Sequence, residues 1–531
     1  MKKSNSRLVV GLIWDLRGDP PYVSVNKLWH ETISVIIQKF NIEILKVNSY
    51  NIENNEEYRE FVDKIDIMML LSPYYSIDRT VKDFPVIFYG LGSMQKGGHW
   101  LVDNQNSFKS YDKTILNCSS CMEIFDDFVE KDSIGRELIP FGVDTSIFYP
   151  LDNKKAIRRK YNVPENAFIM VYCGRINIQK NSTLLLSILR DLKDKHENLM
   201  LMFIGSYDGF YISEFNDGEV PDIKIEFEKM IEEFNLRDRV IFFEMQNNAN
   251  VYSEMINMAD IGINLTTLIS ENFGYTPVEM QSCGLPVIGT EWGGLKDTIE
   301  DNVTGFRIET VQSNYGARIN IELAKDRIEY LINNPDKVKE MGKNAHLNVE
   351  KNFSSQKFAE QVQDLIIKTY NNFSNSDKTE KKLKVNPMMK NMSVKIHEIY
   401  GDERHVSWEH LHPEIDFRHY DMICSRCVTC HAKDTVWNQN SVISKGFDWT
   451  ISENKFVSYD PRWNEHFELK DFNLNDNEIK ILGYINEGST VKSLMNDIGL
   501  SKEKVLYYFK VLTAKGLIIP WEKNKNEKES Y

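Results

Sequence analysis

Apolar residues along this chain follow two alternating spacings. Leu8 to Trp14 is a continuous apolar run, the pattern of a strand covered on both faces. Leu28, Trp29, Ile33, Ile36, Ile37 and Phe40 then recur at helical spacing. Strand-like runs return at 42–47, 65–71 and 85–89. A second series follows: apolar runs at 167–175, 199–205, 239–244 and 260–265, with a helical pattern at 251–259 and another at 352–372 that carries Phe358, Val362, Leu365, Ile366 and Tyr370. Gly, Asp and Asn crowd 207–220, which reads as an inserted loop. Alternation of this kind predicts an α/β protein with two Rossmann-like parallel sheets, and in such sheets ligands sit at the carboxyl ends of the strands. Near the end the texture changes to three short helical patterns, 476–487, 491–498 and 502–515, followed by Gly516-Leu-Ile-Ile-Pro520. Ser501 is placed as the N-cap of the third. They predict a small C-terminal α+β module.

Composition narrows this picture. The 531 residues are enough for about three domains of ordinary size. A formal net charge of -14 argues against a surface built wholly for nucleic acid, so a small anionic ligand must be held by specific groups. The basic start and short apolar run at the N-terminus read as a first buried strand, not a signal peptide. No apolar run approaches the roughly eighteen residues needed to span a membrane. Seven unevenly spread cysteines do not suit a secreted disulfide framework. A cytoplasmic protein is expected.

The chemistry concentrates between Ser270 and Gly289. Glu271 and Glu279 stand eight positions apart around the pair Phe273-Gly274. A glycine where loop turns into helix lets backbone N–H groups approach a ligand and aims a helix N-terminus at it, which makes a seat for an anion. One carboxylate lies just before that turn and the other about a turn and a half inside. With a pitch of about 5.4 Å they could reach two parts of one bound molecule. Taken alone, the same spacing also describes a buried strand–turn–helix unit with surface acids.

Other blocks fall around this one in a definite order. Glu137-Leu-Ile-Pro-Phe-Gly-Val-Asp-Thr-Ser-Ile-Phe-Tyr-Pro150 is followed by Gly174-Arg175 with Lys180 five residues on. After the paired acids come Cys283-Gly-Leu-Pro-Val-Ile288, Gly293-Gly294 and Thr304-Gly305-Phe306. Over roughly residues 135–310 the set resembles the family 4 retaining glycosyltransferases, which have the GT-B fold. The resemblance implies an acceptor-side Rossmann-like domain at 1–145, completed by a returning helix at 353–372, and a nucleotide-sugar donor domain at 146–352. It implies a nucleoside-diphosphate sugar as donor substrate and no cofactor for the transfer. Arg175 and Lys180 would grip the diphosphate, where negative charge builds as the glycosidic bond breaks. Glu271 would contact sugar hydroxyls and Glu279 the ribose. Asn272, Phe273, Gly274 and Tyr275 would line the donor, their backbone near the distal phosphate. The chain departs from the pattern where Asn181 replaces the glycine usual after the lysine. It also lacks a Gly-Gly pair within 11–18 and has Phe88-Tyr-Gly-Leu-Gly92 where relatives place a histidine. His99 is the candidate substitute on the acceptor side.

Residues from about 395 onward have no place in a minimal enzyme of that fold. A basic linker at 373–398 interleaves Lys378, Lys381, Lys382, Lys384, Lys390 and Lys395 with three methionines. It reads as a solvated linker, or as a contact for an anionic membrane or nucleic acid. Within 399–470, Cys424, Cys427, Cys430 and His431 offer thiolates and an imidazole at metal-ligand spacing, with His410, His412 and His419 upstream. Four ligands in eight residues are cramped, so a structural zinc would use two or three of the cysteines and an upstream histidine. An iron–sulfur cluster lacks an evident fourth cysteine, and reduced thiols are the third reading. Cys118 and Cys121 share the CxxC spacing but read as packing. Residues 471–531 resemble a winged helix-turn-helix and the PqqD-like peptide-recognition modules of that shape. Lys502, Lys504, Lys510 and Lys515 would suit a DNA groove, whereas Tyr507, Tyr508 and Phe509 suit a peptide partner or a core. The leading expectation is a retaining glycosyltransferase whose last module recruits a peptide, protein or nucleic-acid acceptor. Its rivals are an epimerase or phosphorylase of the same fold, and a sugar-nucleotide sensor whose last module binds DNA or peptide.

Overall fold

The computed structural model describes residues 7–14, 42–48, 55–70, 78–89, 105–130, 133–177, 180–207, 223–268, 271–313, 316–375, 383–387, 426–428, 430–431, 436–437, 441, 443–445, 449–452, 455–460, 465–468, 474–486 and 489–521. The expected helix at 28–40, residues 208–220 of the expected insertion, His99, Cys424 and most of the basic linker lie outside them.

Two parallel sheets carry the body of the molecule. The first contains β1 (Leu8–Trp14), β2 (Ile42–Asn48), β3 (Ile67–Leu70), β4 (Val86–Tyr89), β5 (Lys113–Leu116) and β6 (Gly135–Leu138), in the order β2-β1-β3-β4-β5-β6. Helices α1 (Asn55–Lys64) and α2 (Ser119–Phe128) belong to this unit. All four residues of β3 and of β4 are buried, which is why these strands read as unbroken apolar runs rather than alternating ones.

Helix α3 (Lys154–Lys160) leads into the second sheet, formed by β7 (Phe168–Cys173), β8 (Leu199–Gly205), β9 (Val240–Glu244), β10 (Ile261–Asn264), β11 (Val287–Thr290) and β12 (Gly305–Ile308). Its order is β12-β11-β10-β7-β8-β9, parallel throughout. Helices α4 (Leu184–Leu192), α5 (Ile223–Glu233), α6 (Ala249–Ile256), α7 (Tyr275–Ser282) and α8 (Leu295–Thr298) connect these strands. A buried guanidinium ties α3 to the sheet: Arg158 donates to the carbonyls of Met258, Glu165 and Ala167 and to Asp260 Oδ2 at 2.8–2.9 Å. Strand order reverses between β7 and β10, so the crevice above their carboxyl ends is the natural ligand position of this sheet.

After β12 the chain forms an antiparallel hairpin of β13 (Thr310–Ser313) and β14 (Gly316–Ile319). Helices α9 (Ile321–Asn333), α10 (Pro335–Asn352) and α11 (Ser355–Asn375) follow. Helix α11 lays Phe358 against Tyr89 and Phe141 and pairs Lys368 with Glu137, all in or just after the first sheet. One apolar core runs between the sheet units, with Tyr89, Ile139 and Phe141 meeting Phe273, Val278 and Phe358. Each such side chain, fully buried, contributes about 1.5–3 kcal/mol.

The last stretch adds β15 (Cys430–His431), which pairs in parallel with β13, and β16 (Ser444–Lys445). An antiparallel sheet of β17 (Trp449–Ser452), β18 (Lys455–Asp460) and β19 (Glu465–Glu468) follows. Helices α12 (Asp476–Gly483), α13 (Val491–Ile498) and α14 (Lys502–Ala514) then surround their own core of Ile481, Leu494, Phe509 and Trp437. Short β20 (Ile518–Ile519) pairs antiparallel with β16. Asn475 closes a capping box on α12, and the Ser501 hydroxyl accepts from the Lys504 amide at 3.4 Å, the cap its position predicts. Among the described residues, no helix is long and apolar enough to cross a membrane.

Candidate active site

The residues singled out in sequence stand at the carboxyl ends of the two strands where the second sheet reverses. Arg175 follows β7 by two residues, and Lys180 lies at the start of the next connection; Glu271 follows β10 and Glu279 lies inside α7. The Lys180 ammonium forms an ion pair with the Glu271 carboxylate, and both side chains are largely shielded from water. Arg175 belongs to the same patch. Tyr172, fully buried at the end of β7, donates its hydroxyl to the Arg175 carbonyl at 2.7 Å. Burial pushes that phenol well above its ordinary range; the charge of Glu271 pushes the same way and that of Arg175 opposes it. One hydroxyl thus feels both charges.

Asn181 accounts for its own departure from glycine. Its φ is +52°, in the left-handed region where glycine is favoured and asparagine tolerated. Its side-chain amide donates to the Leu265 carbonyl at 2.9 Å and to Thr267 Oγ1 at 3.0 Å, binding the lysine-bearing loop to the segment after β10. Substituting glycine would lose those two bonds.

Gly274 supplies the predicted turn into α7. It is the N-cap at φ +80°, and a Cβ there would meet Leu295 Cδ2 at 2.7 Å. The first N–H groups of a helix have no partner within it, and α7 begins on the connection that leaves the carboxyl end of β10. Close behind, Gly293 (φ +53°) and Gly294 let a second backbone segment lie against the motif. The Gly294 amide donates to the Glu271 carbonyl at 2.8 Å, and a Cβ on Gly293 would stand 2.3 Å from that oxygen. Phe273 is a core residue, 1% exposed and packed edge-on against Phe141 and Phe353. Its contribution to the crevice is backbone. Asn272 turns the other way and donates to Asn117 Oδ1 at 3.3 Å, across to the end of β5.

Glu279 sits in desolvated surroundings that push its carboxyl up to about 7, against the opposing effect of a hydrogen bond from the Tyr252 hydroxyl at 3.2 Å. Tyr275 packs on Phe141, with ring centroids 5.0 Å apart, and its hydroxyl is buried without a hydrogen-bond partner. Burial raises that phenol, and the neighbouring Tyr89 and Glu279 add to the rise. Sequence reasoning missed Tyr252, Asn117 and Tyr89. An aromatic on a buried helix face carries no signal that separates a carboxylate partner from core packing.

Cys427, the one member of the suggested metal set whose side chain is described, is fully buried in a cluster with Cys118, Cys121, Trp292 and Val428. Cys430 and His431 form β15. Among the described residues no group of three His, Cys, Asp or Glu stands where a metal ion could be held. Cys118 caps α2 and lies 3.3 Å from Cys121, both buried.

Comparison with known proteins bears on the fold that carries these residues. Residues 153–347 match the family model of glycosyl transferases group 1. A D-inositol 3-phosphate glycosyltransferase of Geodermatophilus obscurus is 26% identical over 219 residues, 40% of this chain and 46% of that protein. The putative glycosyltransferase EpsD of Bacillus subtilis is 25% identical over 242 residues, 45% of this chain and 55% of that one. The chain therefore spans about half the length of these curated relatives. Among solved structures, Anabaena HepE in complex with UDP and glucose aligns with a TM-score of 0.52 and 15% identity, covering 68% of this chain and 100% of that one. A glycosyltransferase from Rickettsia africae aligns with a TM-score of 0.51 and 19% identity, covering 70% of this chain and 100% of that one. The two-sheet body thus has the GT-B fold, and its second sheet lies within the region that matches the glycosyl transferases group 1 model.

Proposed function

We propose that this protein is a retaining glycosyltransferase that moves a sugar from a nucleoside-diphosphate sugar to an acceptor, by a route like that of family 4. The observation that carries this reading is the meeting of Lys180 and Glu271 at the reversal point of the second sheet, with Arg175 just after β7 and Glu279 in α7, the helix that follows β10. Arg175 and Lys180 hold the diphosphate; on donor entry the Lys180 ammonium exchanges its carboxylate partner for phosphate oxygens. Freed of the ammonium, Glu271 accepts hydrogen bonds from the sugar hydroxyls. Glu279 accepts from the ribose, and the first amides of α7 face the distal phosphate. As the glycosidic bond lengthens, the fixed cations stabilise the charge on the leaving phosphate, which takes the acceptor's proton as the acceptor attacks from the same face. No protein nucleophile is needed in this route. HepE, which binds UDP and glucose, makes a UDP-sugar the first donor to test.

The module at 471–531 is proposed to recruit the acceptor. Support comes from the core that its helices form with Trp437 and Ile443, and from the antiparallel pairing of β20 with the upstream β16, the outline expected of a winged helix-turn-helix. The proposed setting is the cytoplasm.

A panel of UDP-, GDP- and ADP-sugars, scored for binding and then for hexose gain by mass spectrometry, tests the function. Glu271→Ala and Lys180→Ala should each lower turnover about a hundredfold or more while the fold persists. Full turnover in both variants would remove Glu271 and Lys180 from the donor site, and a wild-type chain that neither binds a sugar nucleotide nor adds a hexose would remove the enzymatic reading.

A further inference from the structure

The C-terminal part of the chain does more than follow the two sheets. Residues 426–428 pass between them, directly behind the turn that supports Glu271. The Gly293 amide donates to the Cys427 carbonyl at 2.8 Å, and the next amide, Gly294, donates to the Glu271 carbonyl at 2.8 Å. Two successive backbone bonds therefore run from residue 427 to the residue that pairs with Lys180. The Arg426 carbonyl accepts from Lys296 Nζ at 3.0 Å, in α8 directly after that turn. Its guanidinium reaches the other way, to Asp127 on α2, with a bidentate pair of 2.8 and 3.0 Å. Between these anchors Cys427 and Val428 are buried with Trp292, Cys121 and Phe128.

The surface the segment covers is itself a junction between the sheet units. The Ser119 amide and hydroxyl donate to Asp297 at 2.6 and 2.8 Å, and Ser120 Oγ lies 3.5 Å from the Gly293 carbonyl. A carboxylate at the N-terminus of α2 is well placed for the helix dipole. The Ser119–Asp297 contacts are exposed and by themselves hold this edge of the junction weakly. A buried segment bonded to both sheet units fixes the turn as well.

We propose that residues 426–428 are a positioning strap for the donor crevice: the Cys427 carbonyl sets the Gly293-Gly294 turn, and through it Glu271, while Arg426 anchors the strap to α2. This rests on the transferase reading for its effect on nucleotide binding, but not for its effect on the turn. Nucleotide affinity then depends on residues that lie outside the 153–347 domain and touch no ligand.

The test uses the full chain, with Arg426→Ala, Asp127→Ala, their double variant, and the exchanged pair Arg426→Asp with Asp127→Arg. Hydrogen exchange over 290–296, with no ligand present, reads the turn; titration with whichever of UDP, GDP and ADP the wild type binds reads the crevice. Each alanine variant should speed exchange of the turn at least tenfold and weaken nucleotide binding several-fold. The double variant should add little, the exchanged pair should recover both, and exchange in α12–α14 should stay unchanged. Unaltered exchange of the turn overturns the proposal, as does faster exchange with unaltered nucleotide affinity. A wild-type chain that binds none of the three nucleotides sinks the transferase reading instead, and the exchange measurement then decides the strap alone.

Discussion

Glu279→Gln isolates one carboxylate whose environment should be felt in the stability of the whole molecule. The Glu279 carboxyl is raised from 4.5 to about 7 by burial. Between those values the native state keeps a proton that the unfolded chain has released, so stability falls as pH rises from about 4.5 to 7 and levels off above. At roughly 1.4 kcal/mol per unit, the ionised side chain costs the fold about 3 kcal/mol at pH 8. Glutamine keeps the shape, stays neutral, and retains an oxygen for the Tyr252 hydroxyl. The variant should therefore match the wild type near pH 5 and exceed it at pH 8. With a shift of roughly 2–4 °C per kcal/mol in a domain of this size, the gap in Tm should open to about 6–12 °C. Thermal scans of both proteins from pH 5 to 8.5 measure it, and differencing the curves cancels the contribution of the other titrating groups. Parallel curves would refute the desolvated, protonatable Glu279. Nucleotide binding should move oppositely: a ribose held by the carboxylate form makes wild-type affinity climb between pH 6 and 8, while Glu279→Gln gives a flat profile.

Two further substitutions probe the scaffold. Arg158→Ala strips four hydrogen bonds from carbonyls and from Asp260 at the root of β10, and should lower stability by about 3–5 kcal/mol in urea unfolding. Gly293→Ala forces a side chain into a left-handed conformation, at about 1–2 kcal/mol, and drives its Cβ onto the Glu271 carbonyl. Nucleotide titration should show a loss of affinity larger than the modest fall in unfolding midpoint accounts for.

What the sequence reveals depends on how local the physics is. The parallel sheets were legible because a strand buried on both faces must be apolar throughout, as in β3, β4 and β7. The turn at Gly274 was legible because its φ of +80° leaves glycine as the natural occupant. Asn181 reads as a defect in the pattern, yet it takes the same backbone region and adds two bonds that a glycine could not make. Its merit lies in Leu265 and Thr267, which local spacing does not bring near. The β13–β14 hairpin had no sequence signal comparable to a buried run, since its strands are four residues each and mix polar with apolar positions. The pairing of residue 427 with 293 was illegible for a stronger reason: it is a bond between two backbones, and neither side chain needs to record it.

The same bond changes how the end of the chain is to be understood. An appended recruiting module would leave the crevice intact when removed, because a tether contributes local concentration and no geometry. Here the tether is itself part of the scaffold. β15 extends the β13–β14 sheet, Ile519 and Trp521 pack on Val311, and a Cβ on Gly516 would press on Ser313 Oγ at 2.5 Å. Cutting the chain near 395 removes both the module and the strap, so lost activity there would say nothing about recruitment. A cut after 470 spares Arg426 to Val428 and separates the two roles. Recruitment by the last module predicts loss on a macromolecular acceptor alone, whereas failure on every acceptor after that cut would mean that Ile519 and Trp521 hold β13 for the crevice as well.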